Sequence, residues 1–332
     1  MIAAQPQIFS SRRKLVLAEG IVGVIAGALI GVLLGSVFGA NSAGASRTNP
    51  SDSSRAKKSV TVTAAFYPLA DAVTQVGGKH VKVTNLTPAG VEPHDLELTP
   101  KQVESVLDAD LAVVVGNGFQ PAVEDVAADR DGPTLNVLEA LPIGAAGKKV
   151  EEGNATALDP HVWLDPVLYE AVVNEIAAAL SKVDPTRSDE YTANAAAYNV
   201  KLAQLDDAYK TGLANCERDL IITAHESFAR LAARYGLQQE GIAGISPGNE
   251  PNPRRLAELT ARVEKDGITT IFTEDLVSPK VARTLAREAG VKTATLNPLE
   301  GLTPSQVKKG ATYISEMKAN LRALQKALGC SA

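Results

Sequence analysis

From about residue 60 onward, short apolar runs alternate with amphipathic stretches. Val60 to Ala65 alternates with Thr, the two-residue period of a strand. Tyr67-Pro68 then opens a helix that ends at Gly77-Gly78. Val81 to Thr87 reads as a second strand, followed by a loop with two Pro and a Gly, Pro88 to Asp95. Thr99-Pro100 pairs an N-cap with Pro at the first helical position and starts a helix to about Asp108. Leu111 to Val115 is wholly apolar and ends at Gly116, the mark of a buried parallel strand. Thr134 to Leu138 reads as another short strand.

The device of a cap followed by Pro recurs at Asp165-Pro166, Asp184-Pro185, Asn252-Pro253, Ser278-Pro279 and Thr303-Pro304, each a predicted helix start. From Thr186 to Leu213 there is no Pro, and Tyr191, Ala195, Tyr198, Leu202, Leu205 and Tyr209 recur at helical spacing. That pattern predicts one helix of about 28 residues, roughly 40 Å long and too long for one small lobe. It reads as a strut joining two. Beyond it, strands at Leu220–Ala224, within Leu237–Ile245, at Thr269–Thr273 and at Lys292–Leu296 alternate with helices, the last running from Pro304 to Leu328. Strands alternating with helices predict βα units and parallel sheets, hence an α/β fold of two lobes with the long rigid helix between them.

The first 58 residues differ in kind. Arg12-Arg13-Lys14 precedes an apolar stretch from Leu15 to Ala40 broken only by Glu19. Charge before an apolar run sends the downstream chain outward across a membrane. Gly23, Gly27, Gly31, Gly35 and Gly39 would line one face of a helix, a small-residue stripe suited to close helix packing. A retained anchor and a signal cleaved near Ala43-Gly44-Ala45 both fit, and both leave the body extracytoplasmic, periplasmic or at the cell surface. Ser11-Arg12-Arg13-Lys14-Leu15 also resembles a twin-arginine export signal. The organisation expected is an anchor or export signal over 1–40, a flexible tether over 41–59, an α/β lobe over 60–185, the linking helix over 186–214 and a second α/β lobe over 215–332. No Cys follows the apolar run, so a lipoprotein anchor is not expected.

Composition narrows the function. The chain carries a net charge of −5, yet residues 1–58 alone carry +5, so the body is near −10. An acidic body argues against nucleic-acid binding and suits the handling of cations. Neither Cys216 nor Cys330 lies in a CxxC motif. In an exported chain the two favour one disulfide, with two free thiols as the alternative.

Candidate chemistry centres on Asp159-Pro160-His161-Val162-Trp163-Leu164-Asp165-Pro166, which holds the only Trp and one of four His. His225 follows the predicted strand ending at Ala224, Glu274 follows the one ending at Thr273, and His94 lies in the loop after Val81–Thr87. Parallel α/β sheets bind ligands beyond the carboxyl ends of their strands, so a cleft between the lobes would collect His94, His161, His225 and Glu274. Three neutral imidazoles and a carboxylate suit Zn²⁺. Glu92, Asp95, Asp159, Asp165 and Glu226 are near enough in sequence to orient the imidazoles. His80, beside Gly77-Gly78, reads as a solvated turn residue.

Glu92-Pro93-His94-Asp95, Asp159 to Pro166, Ala224-His225-Glu226-Ser227-Phe228 and Phe272-Thr273-Glu274 occur in that order. Together they resemble the metal-binding subunits of ABC importers for zinc and manganese, over residue 60 to the end. The resemblance implies two lobes on a rigid helix, metal in the cleft, a monomer, and an ABC permease in the cytoplasmic membrane as partner. His94, His161 and His225 match the three His ligands of its zinc branch, and Glu274 a fourth ligand found in some members, where others use water. His225 stands where manganese members carry a carboxylate and Ser278 where they carry an Asp, so zinc is the expected cargo, with manganese or iron as the alternative. No His occurs between Gly116 and Leu158, where many zinc members carry a His-rich loop, and their lipoprotein Cys is also missing. No catalytic residue is expected. The remaining rivals are a zinc hydrolase with Glu274 or Glu226 as base, and a metal-binding adhesin.

Overall fold

A computed structural model describes residues 59–142, 149–152, 155–249 and 251–331. The anchor or export signal and nearly all of the tether expected before residue 59 lie outside the described residues. Among the described residues no helix is long and apolar enough to cross a membrane.

The first half runs β1 (Val60–Ala64), α1 (Tyr67–Gly77), β2 (Val81–Asn85), α2 (Pro100–Leu107), β3 (Leu111–Val114), α3 (Pro121–Ala128), β4 (Thr134–Asn136), α4 (Val137–Ala140) and a hairpin of β5 (Lys149–Glu152) and β6 (Ala155–Leu158). The helices α5 (Pro166–Val183) and α6 (Ser188–Gly212) come next. The second half runs β7 (Leu220–Thr223), α7 (Ala229–Arg234), β8 (Gln238–Gly241), α8 (Pro253–Lys265), β9 (Thr270–Thr273), α9 (Lys280–Glu288), β10 (Lys292–Thr295), α10 (Pro304–Lys308) and α11 (Tyr313–Leu328). Two four-stranded sheets result, ordered β2-β1-β3-β4 and β10-β9-β7-β8. Every pairing within them is parallel, with Val62 opposite Leu111 in the first and Ile222 opposite Ile271 in the second. The apolar strands β3 and β7 are buried along their whole length, as central strands covered on both faces must be.

The 25-residue α6 joins the two halves. Tyr191, Ala195, Tyr198, Leu202, Leu205 and Tyr209 are buried on it. Its first half is tied to α1, where Asn194 Nδ2 donates to Val76 O at 2.9 Å and the Tyr198 hydroxyl to Asp71 at 2.6 Å. Its last turns are tied to α11, where the Tyr209 hydroxyl donates to Met317 O at 2.7 Å. A helix pinned to both lobes is a strut, as its length predicts. Cys216 and Cys330 form a disulfide that joins the chain after α6 to the end of α11.

Several expectations need correction. The strand expected over Thr134–Leu138 stops at Asn136, whose side chain accepts from Glu139 N and caps the short helix α4. The helix expected from Pro304 to Leu328 is broken in two: Gly310 takes a left-handed φ of 70°, and a capping box at Thr312 restarts the chain as α11. The helix α3 and the β5–β6 hairpin stand in a stretch for which neither was expected.

Candidate metal centre

His94 and His225 leave loops at the carboxyl ends of strands in the two parallel sheets, Glu274 directly follows β9, and His161 follows the β5–β6 hairpin. His225 lies two residues past β7, and Thr223 Oγ1 donates to the His225 carbonyl at 2.6 Å, tightening that turn. His161 precedes a single 3₁₀ turn, Val162–Leu164. Asp165 then caps α5 by accepting from Val167 N and Leu168 N, with Pro166 at the first helical position. His94 sits in the loop between β2 and α2.

These three imidazoles converge on a carboxylate, and it belongs to Glu300. One ligand atom from each of His94, His161, His225 and Glu300 lies within 4.8 Å of every other. Glu300 Oε1 is 3.1 Å from His161 Nε2, 3.1 Å from His225 Nε2 and 3.5 Å from His94 Nε2. Ligands at ~2.0–2.1 Å from a tetrahedral zinc sit ~3.3 Å apart, so these separations fit that ion. All four side chains are nearly inaccessible, His94 being the most exposed at 8%.

Glu274, expected as the fourth ligand, is instead the partner of His225. Its carboxylate is 2.8 Å from His225 Nδ1 and accepts from His225 N at 3.1 Å. Asp159 serves His161 in the same way, at 2.8 Å from Nδ1 and 2.9 Å from the backbone N. A carboxylate on Nδ1 holds the proton there and leaves the Nε2 lone pair directed at the point where the four side chains converge. Of the other residues expected to orient the imidazoles, Asp165 caps α5 and pairs with Arg234, Asp95 is exposed, and Glu226 lines a separate cavity with Gly241 and Arg255. Burial, then the charge of Glu300, pushes the pKa of Glu92 up to about 8. His80 pairs with Glu190 of α6 at 2.8 Å and, among the described residues, belongs to no group that could hold a metal.

Electrostatics reinforce the convergence. Burial alone would depress the pKa of both inner imidazoles. Asp159 and Glu300 outweigh it and raise His161; Glu274 and Glu300 outweigh it and raise His225 well above the usual value. Burial would likewise raise Glu300, but His225 and the hydrogen bonds to the imidazoles hold it well below the usual carboxylate range. Asp159, Glu274 and Glu300 thus make the surroundings of the two inner imidazoles electronegative.

The sequence signal for Glu300 was faint. It lies five residues past β10 in Asn297-Pro298-Leu299-Glu300-Gly301, with no His or Asp-Pro beside it. Leu299 has φ +57° although it is fully buried. Its N–H donates to Asn297 Oδ1 at 2.7 Å, and the Asn297 backbone is paired on both sides with the Asn320 side chain at 2.8 and 2.6 Å. Trp163 is fully buried under the site, its ring centroid 5.1 Å from that of His161 and its indole N–H donating to Pro298 O at 2.7 Å.

A family model described as "ZnuA: Zinc-uptake complex component A periplasmic" matches residues 62–327. The chain belongs to this family. It is a family of extracytoplasmic transport components that bind metal ions and work with ABC permeases, and not a family of enzymes. The zinc-binding lipoprotein AdcA of Streptococcus pneumoniae is 39% identical over 285 residues, 83% of this chain and 57% of that protein. The chain thus spans a little over half the length of that streptococcal relative. The high-affinity zinc uptake system protein ZnuA of Bacillus subtilis is 37% identical over 86% of this chain and 93% of its own length. The Zn(II)-bound ZnuA-like domain of S. pneumoniae AdcA superposes with a TM-score of 0.68 at 38% identity, covering 81% of this chain and 99% of that one.

Proposed function

We propose that this protein captures Zn²⁺ outside the cytoplasm and delivers it to an ABC permease for uptake. The observation that carries this reading is the convergence of His94, His161, His225 and Glu300 within 4.8 Å of one another in a buried cleft. Zinc is the cargo, held by three Nε2 atoms and one carboxylate oxygen. Imidazole-rich sites favour zinc over manganese, whose preferred ligands are oxygens. Family membership and the zinc-bound relative support the same choice. Manganese remains the runner-up, since the fourth ligand is a carboxylate.

Four protein ligands fill a tetrahedron and leave no open position for a reacting water, which supports binding without catalysis. Asp159 and Glu274 fix the two inner imidazoles before metal arrives. The strut α6, tied to both lobes, supports capture through local loop movement with little lobe closure. The lobes 60–185 and 215–332 would then act as one monomeric receptor. One streptococcal relative is named a lipoprotein, and in this chain Cys216 and Cys330 form a disulfide.

Elemental analysis of protein purified without added metal, with zinc-limited growth of a strain lacking the gene, tests the proposal. The expected outcome is one zinc per chain and impaired growth that added zinc restores. A metal-free protein that fails to bind zinc in calorimetry, or unimpaired growth in zinc-depleted medium, would overturn it.

A further inference from the structure

Among the described residues, the non-glycine positions with positive φ are Asn117 and Leu299. Asn tolerates that conformation; a bulky Leu is a true outlier and persists only where its surroundings impose it. Leu299 is fully buried and immediately precedes Glu300. We propose that the left-handed turn at Leu299, imposed by Asn297 and Asn320, is what aims Glu300 at the three imidazoles, making these two asparagines positioning residues for zinc capture. The proposal rests on the reading of Glu300 as a ligand.

The turn is held residue by residue. Asn320, from α11, accepts from Asn297 N and donates to Asn297 O. Trp163, from the loop that carries His161, donates to Pro298 O. Asn297 Oδ1 accepts from Leu299 N. The orientation of the Asn297 amide is fixed in turn, because its Nδ2 faces the carboxylates of Asp275 at 3.2 Å and Glu316 at 3.4 Å. Carboxylates accept only, so they select the nitrogen and leave the oxygen for Leu299. Gln306 donates to the same two carboxylates at 2.9 and 3.1 Å, closing the network.

The geometric consequence comes from backbone chirality. A left-handed residue reverses the chain direction that an extended residue would continue, and so redirects the next side chain. Here the redirected side chain is Glu300, whose Oε1 meets two Nε2 atoms at 3.1 Å. With an extended Leu299 the carboxylate leaves the chain in another direction and the site loses its one anionic ligand.

Glycine visits the left-handed region without the steric penalty that Leu pays. This makes a rescue experiment possible. Zinc dissociation constants, by competition with a chelator, and urea unfolding are measured for Glu300→Ala, Asn297→Ala and the double variant Asn297→Ala/Leu299→Gly. Asn297→Ala is expected to weaken zinc binding by about 10- to 100-fold. Adding Leu299→Gly is expected to recover several-fold of that affinity while lowering the urea midpoint further, because a buried Leu is lost. Opposite movements of affinity and stability identify positioning; a purely structural role moves both down together. If Asn297→Ala leaves affinity unchanged while Glu300→Ala weakens it, or if the double variant recovers nothing, the positioning role is overturned and Glu300 stands as a ligand. If Glu300→Ala leaves affinity unchanged, the ligand reading fails and the positioning role falls with it.

Discussion

His225 Nδ1 meets the Glu274 carboxylate at 2.8 Å, which leaves Nε2 as the one nitrogen of that ring able to face a cation. The contact assigns different work to two acidic residues at neighbouring strand ends. Glu274 orients an imidazole, and Glu300 meets three of them. Glu274→Gln keeps the shape but weakens the acceptor, so zinc affinity should drop by roughly 10- to 100-fold, the usual effect of losing such a partner. Competition titration against a chelator of known affinity measures this. An unchanged dissociation constant would count against the orienting role.

Zinc affinity should fall on acidification, starting above the ordinary His range. His161 and His225 carry raised pKa values in the metal-free fold. Metal must displace those protons, so binding releases protons and weakens as pH drops through the raised values. Calorimetry in buffers of different ionisation enthalpy reads the released protons directly. Proton-neutral binding at pH 7 would contradict the expectation.

Trp163 is the chain's only tryptophan, and its ring lies 5.1 Å from that of His161. Zinc coordination at His161 changes the charge beside the indole, so tryptophan emission should shift saturably with one equivalent of zinc. His161→Ala should abolish the response. Replacing Trp163 by Ala empties a buried volume and should cost about 3–5 kcal/mol of stability in denaturant titration.

The disulfide between Cys216 and Cys330 spans a sequence separation of 114 residues. Loop-closure entropy for a ring of that size predicts that Cys216→Ser/Cys330→Ser loses at most ~4–5 kcal/mol. Urea unfolding with and without reductant checks this. Equal midpoints would mean that the cross-link constrains the unfolded chain very little.

Asp184 joins α5 to α6. Burial alone would raise its pKa, but hydrogen bonds from Thr186, Arg187 and Tyr191 outweigh burial and hold it down to about 2. A carboxylate depressed in the folded state adds stability that is fully present above its unfolded pKa of 3.8 and is lost as pH falls from there through about 2. Asp184→Asn should therefore cost roughly 1–2 kcal/mol at neutral pH, allowing for solvent screening, and much less at pH 2. Thermal unfolding across that range shows whether the difference closes.

Much of this molecule is legible in its sequence because the signals are local. Apolar runs with Pro-containing caps locate the strands and helix starts, and the spacing from Tyr191 to Tyr209 locates the strut. Rings that need a partner carry it nearby where chain geometry permits: Asp159 lies two residues from His161, within the same motif. The partner of His225 lies 49 residues away, and the carboxylate that meets all three imidazoles lies 75 residues beyond His225. No local pattern distinguishes Glu274 from Glu300, since both come after strands of one parallel sheet. Their roles depend on which way each side chain leaves the backbone, and at Glu300 that direction is set by a left-handed Leu299 held by Asn320 of α11 and Trp163 of the other lobe. The α/β fold class and the long helix follow from periodicity and strand ends, which are local properties of the chain, and the same local signals single out His94, His161 and His225 as candidates. Which carboxylate faces those imidazoles is set by hydrogen bonds between segments far apart in the chain, and no local pattern carries that information.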